Sequence, residues 1–201
     1  DNDLERTKQY QEEAKRVELS KSITNMDDYL VSLDMITKIG SFKDIDIERI
    51  AQLTQRSNQF NLRTIRYTNV EIESIMANPN FLTVSVEVAD KFGNYGLIGV
   101  VIIEITGTTA NIDTWIMSCR VLKRTVEHTV MNYVVESLLK LNIQILNGQY
   151  IPTEKNKLVL IAFQMKRNRW LVLFFIICLI DLQAQEAIEV EGRYDDPSSA
   201  T

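Results

Sequence analysis

Between residues 81 and 117 three apolar, β-branched runs follow one another with only two glycine turns between them. No other stretch constrains the fold as much. Residues 81–88 alternate apolar and polar side chains, the period of a strand with one face covered. Residues 97–105 are almost continuously apolar, as expected of a central strand covered on both faces. Residues 111–117 form the third run, and the turns fall at 91–96 (KFGNYG) and 107–109 (GTT). Such a meander cannot cover its own faces, so helices from the flanking sequence must do so.

The flanks supply them. Upstream, Ile47, Ile50, Leu53 and Phe60 recur at helical spacing over 47–60, with Asp46 where an N-cap belongs. A second helix is expected over 68–76, capped by Thr68 and ended by the Asn-Pro-Asn at 78–80. A first strand is expected around 33–39. Downstream, Val126, Val130, Tyr133, Val134, Leu138 and Leu141 make one stripe of a helix over 122–141. A short strand at 143–146 follows, and Pro152 suits the first turn of another helix. The order is strand, two helices, three antiparallel strands, helix, strand, helix, strand: an α+β sandwich. Pattern alone leaves several such topologies open.

The ends read differently. Residues 3–22 are rich in Glu, Lys, Arg and Gln, describing an exposed helix of the sort that bridges two domains. The run from Trp170 to Ile180 is short of the roughly 20 apolar residues that span a bilayer, and is read as a buried strand. The acidic tail, 183–201, is expected to be disordered. Its expected organisation is therefore a helical linker over 1–27, a domain over 28–182 that changes character after about 157, and that tail.

A net charge of −5 gives no general attraction to nucleic acid or an anionic membrane, so any anion site must be a local cluster. Two cysteines and one histidine form neither a disulfide framework nor a metal-ligand spacing. The charged N-terminus is no signal peptide, and the expected compartment is the cytoplasm.

Four stretches carry a more specific signal: 49–62 (RIAQLTQRSNQFNL), 89–100 (ADKFGNYGLIGV), 112–122 (IDTWIMSCRVL) and 150–156 (YIPTEKN). In order and spacing they resemble the C-terminal acyltransferase-like (GNAT) domain of FkbH-like, or HAD-IIIC, proteins. The resemblance covers most of 28–157, and the 3–22 segment is similar to the connector after the phosphatase-like domain of that family. It implies a GNAT N-acyltransferase fold, with a mixed, mostly antiparallel sheet flanked by helices. It also implies an upstream HAD phosphatase-like domain as partner, and transfer of an acyl or glyceryl group to the phosphopantetheine thiol of an acyl carrier protein or CoA. No metal and no phosphatase site are expected in this chain: Asp44-Ile45-Asp46 mimics the HAD nucleophile spacing but has no hydrophobic strand before it and is read as a helix cap.

In that fold the helix after the fourth strand holds a pyrophosphate at its start. The aligned residues are Arg120, Val121, Leu122, Lys123, Arg124 and Thr125. Arg120 matches the usual pattern, whereas Lys123 and Thr125 stand where small residues let the backbone approach a phosphate. Cys119, at the end of the preceding strand, would carry the acyl group as a thioester; its alternative is a buried, inert cysteine. His128 is a general base by type, or a surface helical residue. Asp113 reads as a strand-edge acid and Glu127 as a solvated helix charge. Asn58 and Asn61 would line the acyl site or fix the loop after the first core helix. Tyr67 and Thr68 read as the start of the second. The Tyr-containing segment and Gly-Phe expected after Asn156 have no counterpart. Two functions therefore stand side by side, acyl transfer and a non-catalytic docking domain, with a membrane-peripheral role through 170–180 as a third.

Overall fold

A computed structural model describes residues 2–56, 60–122, 124–151, 153, 156, 174–178 and 188–194. The elements are α1 (Asn2–Ser22), α2 (Met26–Ser32), β1 (Ile36–Gly40), α3 (Ile47–Arg56), α4 (Asn69–Ala77), β2 (Phe81–Asp90), β3 (Gly93–Thr106), β4 (Thr109–Met117), α5 (Val126–Lys140), β5 (Ile145–Tyr150), β6 (Phe174–Cys178) and β7 (Ile188–Tyr194). The strands form one sheet in the order β1-β2-β3-β4-β5-β7-β6. Every neighbouring pair is antiparallel except β4–β5, which is parallel. A parallel pair needs a crossover, and α5 provides it.

The meander forms the centre of this sheet. Ile98, Val100, Val101, Ile102 and Ile103 of β3 are all buried because helices lie on both faces. Val101 and Ile103, with Ala110, Ile112, Trp115 and Met117 of β4, pack in the cluster that contains Val126, Val130, Val134 and Leu138 of α5. Val100 and Ile102 pack instead with Ile50 and Leu53 of α3 and Ile72 and Ile75 of α4. The continuous apolar run of β3 thus follows from its two covers. Helix α4 starts as expected. Thr68 and Glu71 form a reciprocal capping box, and the two bonds from Thr68 hold the Glu71 carboxyl below its usual range.

Several boundaries depart from the expectations. The β2–β3 turn is only Lys91-Phe92, because the Asp90 carboxylate accepts from the Phe92 and Gly93 N–H groups and closes it early. Gly96 then lies inside β3 at φ +68, a conformation that glycine adopts without strain, beside a register shift. Asp44–Asp46 is a 3-10 turn running straight into α3 without a side-chain cap bond, in place of the expected Asp46 N-cap. Helix α2 takes 26–32, with Asn25 accepting from the Asp27 N–H, so β1 begins later than 33. Helix α5 starts at Val126, not 122, because Cys119–Val121 tightens into a 3-10 turn and Thr125 sits at φ 64. The helix over 2–22 is present but not wholly exposed: Glu12 and Arg16 are buried.

Strand β7 lies within the stretch expected to be disordered, where Ile188 and Val190 alternate with Glu189 and Glu191 and the backbone pairs with β5 and β6. Strand β6 falls within the 170–180 run, at the edge of the sheet. Pro152 lies outside the described residues. Among those described, no helix is long and apolar enough to cross a membrane, and no group of acidic, His or Cys side chains is arranged to hold a metal ion.

Candidate functional site

The site grows from a divergence. Strands β4 and β5 pair only over Thr109–Ile112 and Ile145–Gly148. Beyond that point residues 60–62 enter between them. The Leu62 N–H donates to the Trp115 carbonyl (3.3 Å), the Met117 N–H to the Phe60 carbonyl (3.1 Å), and Asn61 forms an antiparallel bridge with Ile116. On the other side the Ile151 N–H donates to the Leu62 carbonyl at 2.9 Å. Asn156 closes the strip, its Nδ2 donating to the Asn61 and Ile151 carbonyls. Phe60, Asn61 and Leu62 are buried, and Phe60 meets Trp115 edge-on with centroids 5.5 Å apart. Asn61 uses its Oδ1 to accept the Thr64 N–H at 2.8 Å, so it is built into this strip. Asn58 lies outside the described residues.

From the end of β4 the chain passes into the loop where the fold expectation put phosphate. The Ser118 N–H donates to the Ile98 carbonyl (2.7 Å), anchoring the loop to β3. Ser118 Oγ accepts from both the N–H and Nε of Arg120. The Val121 and Leu122 N–H groups donate to the Ser118 and Cys119 carbonyls. Three amides of this turn are therefore satisfied internally. Cys119 is exposed, Val121 is buried and Leu122 is half-buried. Lys123 lies outside the described residues. Thr125 is exposed, and its carbonyl accepts from the His128 and Thr129 N–H groups. His128 is half-buried in the first turn of α5, and its neighbour Glu127 is buried, not solvated as its charge led one to expect.

Sequence reasoning missed a network behind this loop. The buried Asp90 carboxylate accepts Arg16 Nε (2.7 Å) and Nη2 (2.8 Å), the Tyr95 hydroxyl (2.8 Å) and two backbone N–H groups. Arg16 lies over the Tyr95 ring, its Cζ 4.3 Å from the centroid. Arg124 donates to the Tyr95 hydroxyl and is 3.9 Å from Asp90 Oδ2. Arg120 and Arg124 approach the same ring at 5.9 and 5.5 Å. Burial opposes ionisation of Asp90, but bonds from Arg16, Tyr95 and the Phe92 N–H outweigh it and hold the carboxyl below its usual range. Burial, then the hydrogen bond to Asp90, push the Tyr95 phenol up to about 12. Arg49 of α3 is lowered from its ordinary value by burial and by the charges of Arg120 and Arg56. Positive charge therefore concentrates here in an acidic chain.

A second cluster sits on β4. Asp113 accepts from Tyr67, from Arg63 Nη1 (3.2 Å) and from Thr114 Oγ1 (3.0 Å). Asp113 is thus a tied carboxylate, and Tyr67 reaches it from the approach to α4. The structure gathers Cys119, Arg120, Val121, Leu122, Arg124 and Thr125 on one loop with His128 just beyond. It sets Asn61 apart in the strip beside β4.

No protein-family profile and no curated protein sequence matches the chain. Solved structures do. The chain is similar to the ribosomal-protein-S18-alanine N-acetyltransferase from Escherichia coli, with a TM-score of 0.54, 9% identity, and 83% of this chain and 99% of that one covered. It is also similar to the PaiA N-acetyltransferase from Thermoplasma acidophilum in complex with coenzyme A, with a TM-score of 0.52, 15% identity and coverage of 79% and 99%. Ard1 from Thermoplasma volcanium gives a TM-score of 0.54 at 15% identity, covering 80% and 99%. At these identities the likeness speaks for architecture: this chain has the α+β fold of the GNAT N-acetyltransferases.

Proposed function

We propose that the chain is an acyl-transfer domain that passes an acyl or glyceryl group to the phosphopantetheine thiol of CoA or an acyl carrier protein. The observation that carries this reading is the pair of guanidinium groups, Arg120 and Arg124, on the loop after β4, both gathered at Tyr95 in a chain of net charge −5. Arg120 makes no ion pair among the described residues, so its charge is available to an anion. Because the amides of Arg120, Val121 and Leu122 are already spent in the 3-10 turn, side chains, not a backbone cradle, would hold the phosphate. The arm would supply the thiol that accepts the acyl group.

Cys119, exposed beside Arg120, would hold that group as a thioester before the transfer. The pantetheine sulfur would add to the carbonyl of the Cys119 thioester, the Cys119 sulfur would leave, and the proton lost by the pantetheine thiol would end on the Cys119 thiol. His128, the one histidine, is the candidate to relay that proton. The FkbH-like resemblance names the finer substrate: a glyceryl group delivered by an upstream HAD phosphatase-like partner, in the cytoplasm, to a carrier-protein thiol. The test is trapping. Wild type should retain a labelled glyceryl or acyl group through a hydroxylamine-sensitive bond, and Cys119→Ser should not; equal labelling of both removes Cys119 from the reaction.

One observation favours a second reading, a non-catalytic docking domain. Residues 60–62 hydrogen-bond the part of β4 that diverges from β5, so an extended amide chain would have to displace them to pair there. Calorimetry separates the two readings. Binding of phosphopantetheinylated carrier without binding of CoA, and without turnover, supports docking; binding of both supports transfer.

A further inference from the structure

The reading above gives Arg124 a ligand-facing role, yet Arg124 also borders a buried carboxylate. Asp90 is fully buried at its side chain, and two guanidinium groups lie near it. Arg16 takes it in a bidentate pair at 2.7 and 2.8 Å, from a side chain only 3% exposed. Arg124 Nη1 stands off at 3.9 Å and donates to the Tyr95 hydroxyl instead. Arg16 belongs to α1, 74 residues from Asp90 in sequence, and is further held by Glu13 at 3.4 Å and Glu12 at 3.9 Å. Helix α1 lies so close over the start of β3 that a Cβ at Gly93 would overlap the Glu12 carboxylate.

A buried carboxylate must be neutralised by whatever cation can reach it. With α1 docked, that cation is Arg16, and the charge of Arg124 is surplus. Without Arg16, Arg124 is the nearest cation, and its guanidinium is drawn onto Asp90. We propose that Arg16 is a positioning residue for the anion site: by neutralising Asp90, it leaves Arg124 available to a phosphate. Helix α1 is then part of the site's machinery and not only a connector, because lifting it off the sheet withdraws Arg16 and turns Arg124 inward. The inference rests on the proposed phosphate role of the β4–α5 loop.

The experiment is titration calorimetry of the full chain with coenzyme A, and with inorganic pyrophosphate as a probe of the phosphate contact alone. Arg16→Met should weaken both by about tenfold, the loss of one charge-assisted contact. Adding Asp90→Asn removes the carboxylate that captures Arg124, so the double variant Arg16→Met/Asp90→Asn should return to within about threefold of wild type. That rescue is the decisive result, since loss of packing under α1 would not be repaired by it. Wild-type affinity in Arg16→Met, or a double variant as weak as the single one, overturns the inference while leaving the phosphate site standing. Absence of binding by wild type overturns both. If Arg16→Met does not fold, Arg16→Lys takes its place. Lys keeps one charge on Asp90 and should hold binding within about threefold, and a tenfold loss in the folded Lys variant counts against the idea.

Discussion

Asn156 donates its side-chain Nδ2 to the main-chain carbonyl of Asn61 at 3.0 Å, joining residues 95 apart in the chain. The same nitrogen serves the Ile151 carbonyl at 2.9 Å, and its Oδ1 accepts the Thr153 N–H at 2.7 Å. One buried amide thus ties the stretches 49–62 and 150–156 to each other, while the backbone of residues 60–62 makes the link to β4. Only an amide has the donors and acceptor for this. Asn156→Ala should cost about 1–3 kcal/mol, since it leaves buried carbonyls unsatisfied. Asn156→Asp, which keeps the shape but loses the donors, should recover little of it. Urea denaturation monitored by Trp fluorescence reads both, with Trp115 in the affected wall.

Asp90 sets an acid limb to stability. Its carboxyl is held below the ordinary range in the folded state, so its contribution is fully present above the unfolded-state value. It is lost as pH falls through the folded value. The midpoint of chemical denaturation should therefore drop on acidification below the usual carboxylate range, and Asp90→Asn should flatten that part of the drop. Removing the carboxyl altogether, as Asp90→Ala, strands Arg16 in a buried position and should destabilise by about 3–5 kcal/mol.

Tyr67 is the corresponding case at high pH. Burial, and then the bond to Asp113, raise its phenol, and Tyr95 is raised to about 12. For a group raised on folding, the stabilisation is complete below the unfolded-state value and is lost as pH rises through the folded one. An alkaline ultraviolet titration should show two phenols ionising late, and Tyr67→Phe should remove one of them. The same variant should lose about 1–3 kcal/mol, because Asp113 keeps Arg63 and Thr114 but forfeits one donor.

Docking of α1 is testable without any ligand. Gly93→Ala should push the Glu12 carboxylate out of its place and weaken the seat of the helix. Hydrogen exchange over Asn2–Ser22 should speed up, with the amides of β3 beyond Gly99 unchanged, and the overall cost should stay below about 1 kcal/mol, because the displaced atoms are the end of a flexible side chain.

What could be read from the sequence divides along a physical line. The meander was legible because strand periodicity and covering by two helical layers both write themselves into neighbouring residues. The Thr68–Glu71 capping box was legible for the same reason. The junction of strand and helix at Ser118 and Arg120 is legible, but the start of α5 at Val126 and not at 122 is not, because nothing in Thr125 announces a left-handed backbone. The Arg16–Asp90 pair was not legible. Arg16 reads as one more charge on a polar helix, and its partner is 74 residues away. Strand β7 was hidden by Glu189 and Glu191, whose charge masked the alternation of Ile188 and Val190.

The strip of residues 60–62 also imposes an order in time. It is hydrogen-bonded on one side to β4 and on the other to Ile151 and Asn156, so its second set of contacts cannot form until the chain has been made through Asn156. The β2–β3–β4 meander, by contrast, needs only short turns and can zip early. Folding should then proceed from the hairpins outward, with residues 60–62 held on one side only until the chain after β5 arrives. A ribosome-bound chain stopped short of residue 145 should hold its meander while Thr109–Ile112 of β4 remains an open edge, the moment at which this protein is most exposed to pairing with a neighbour.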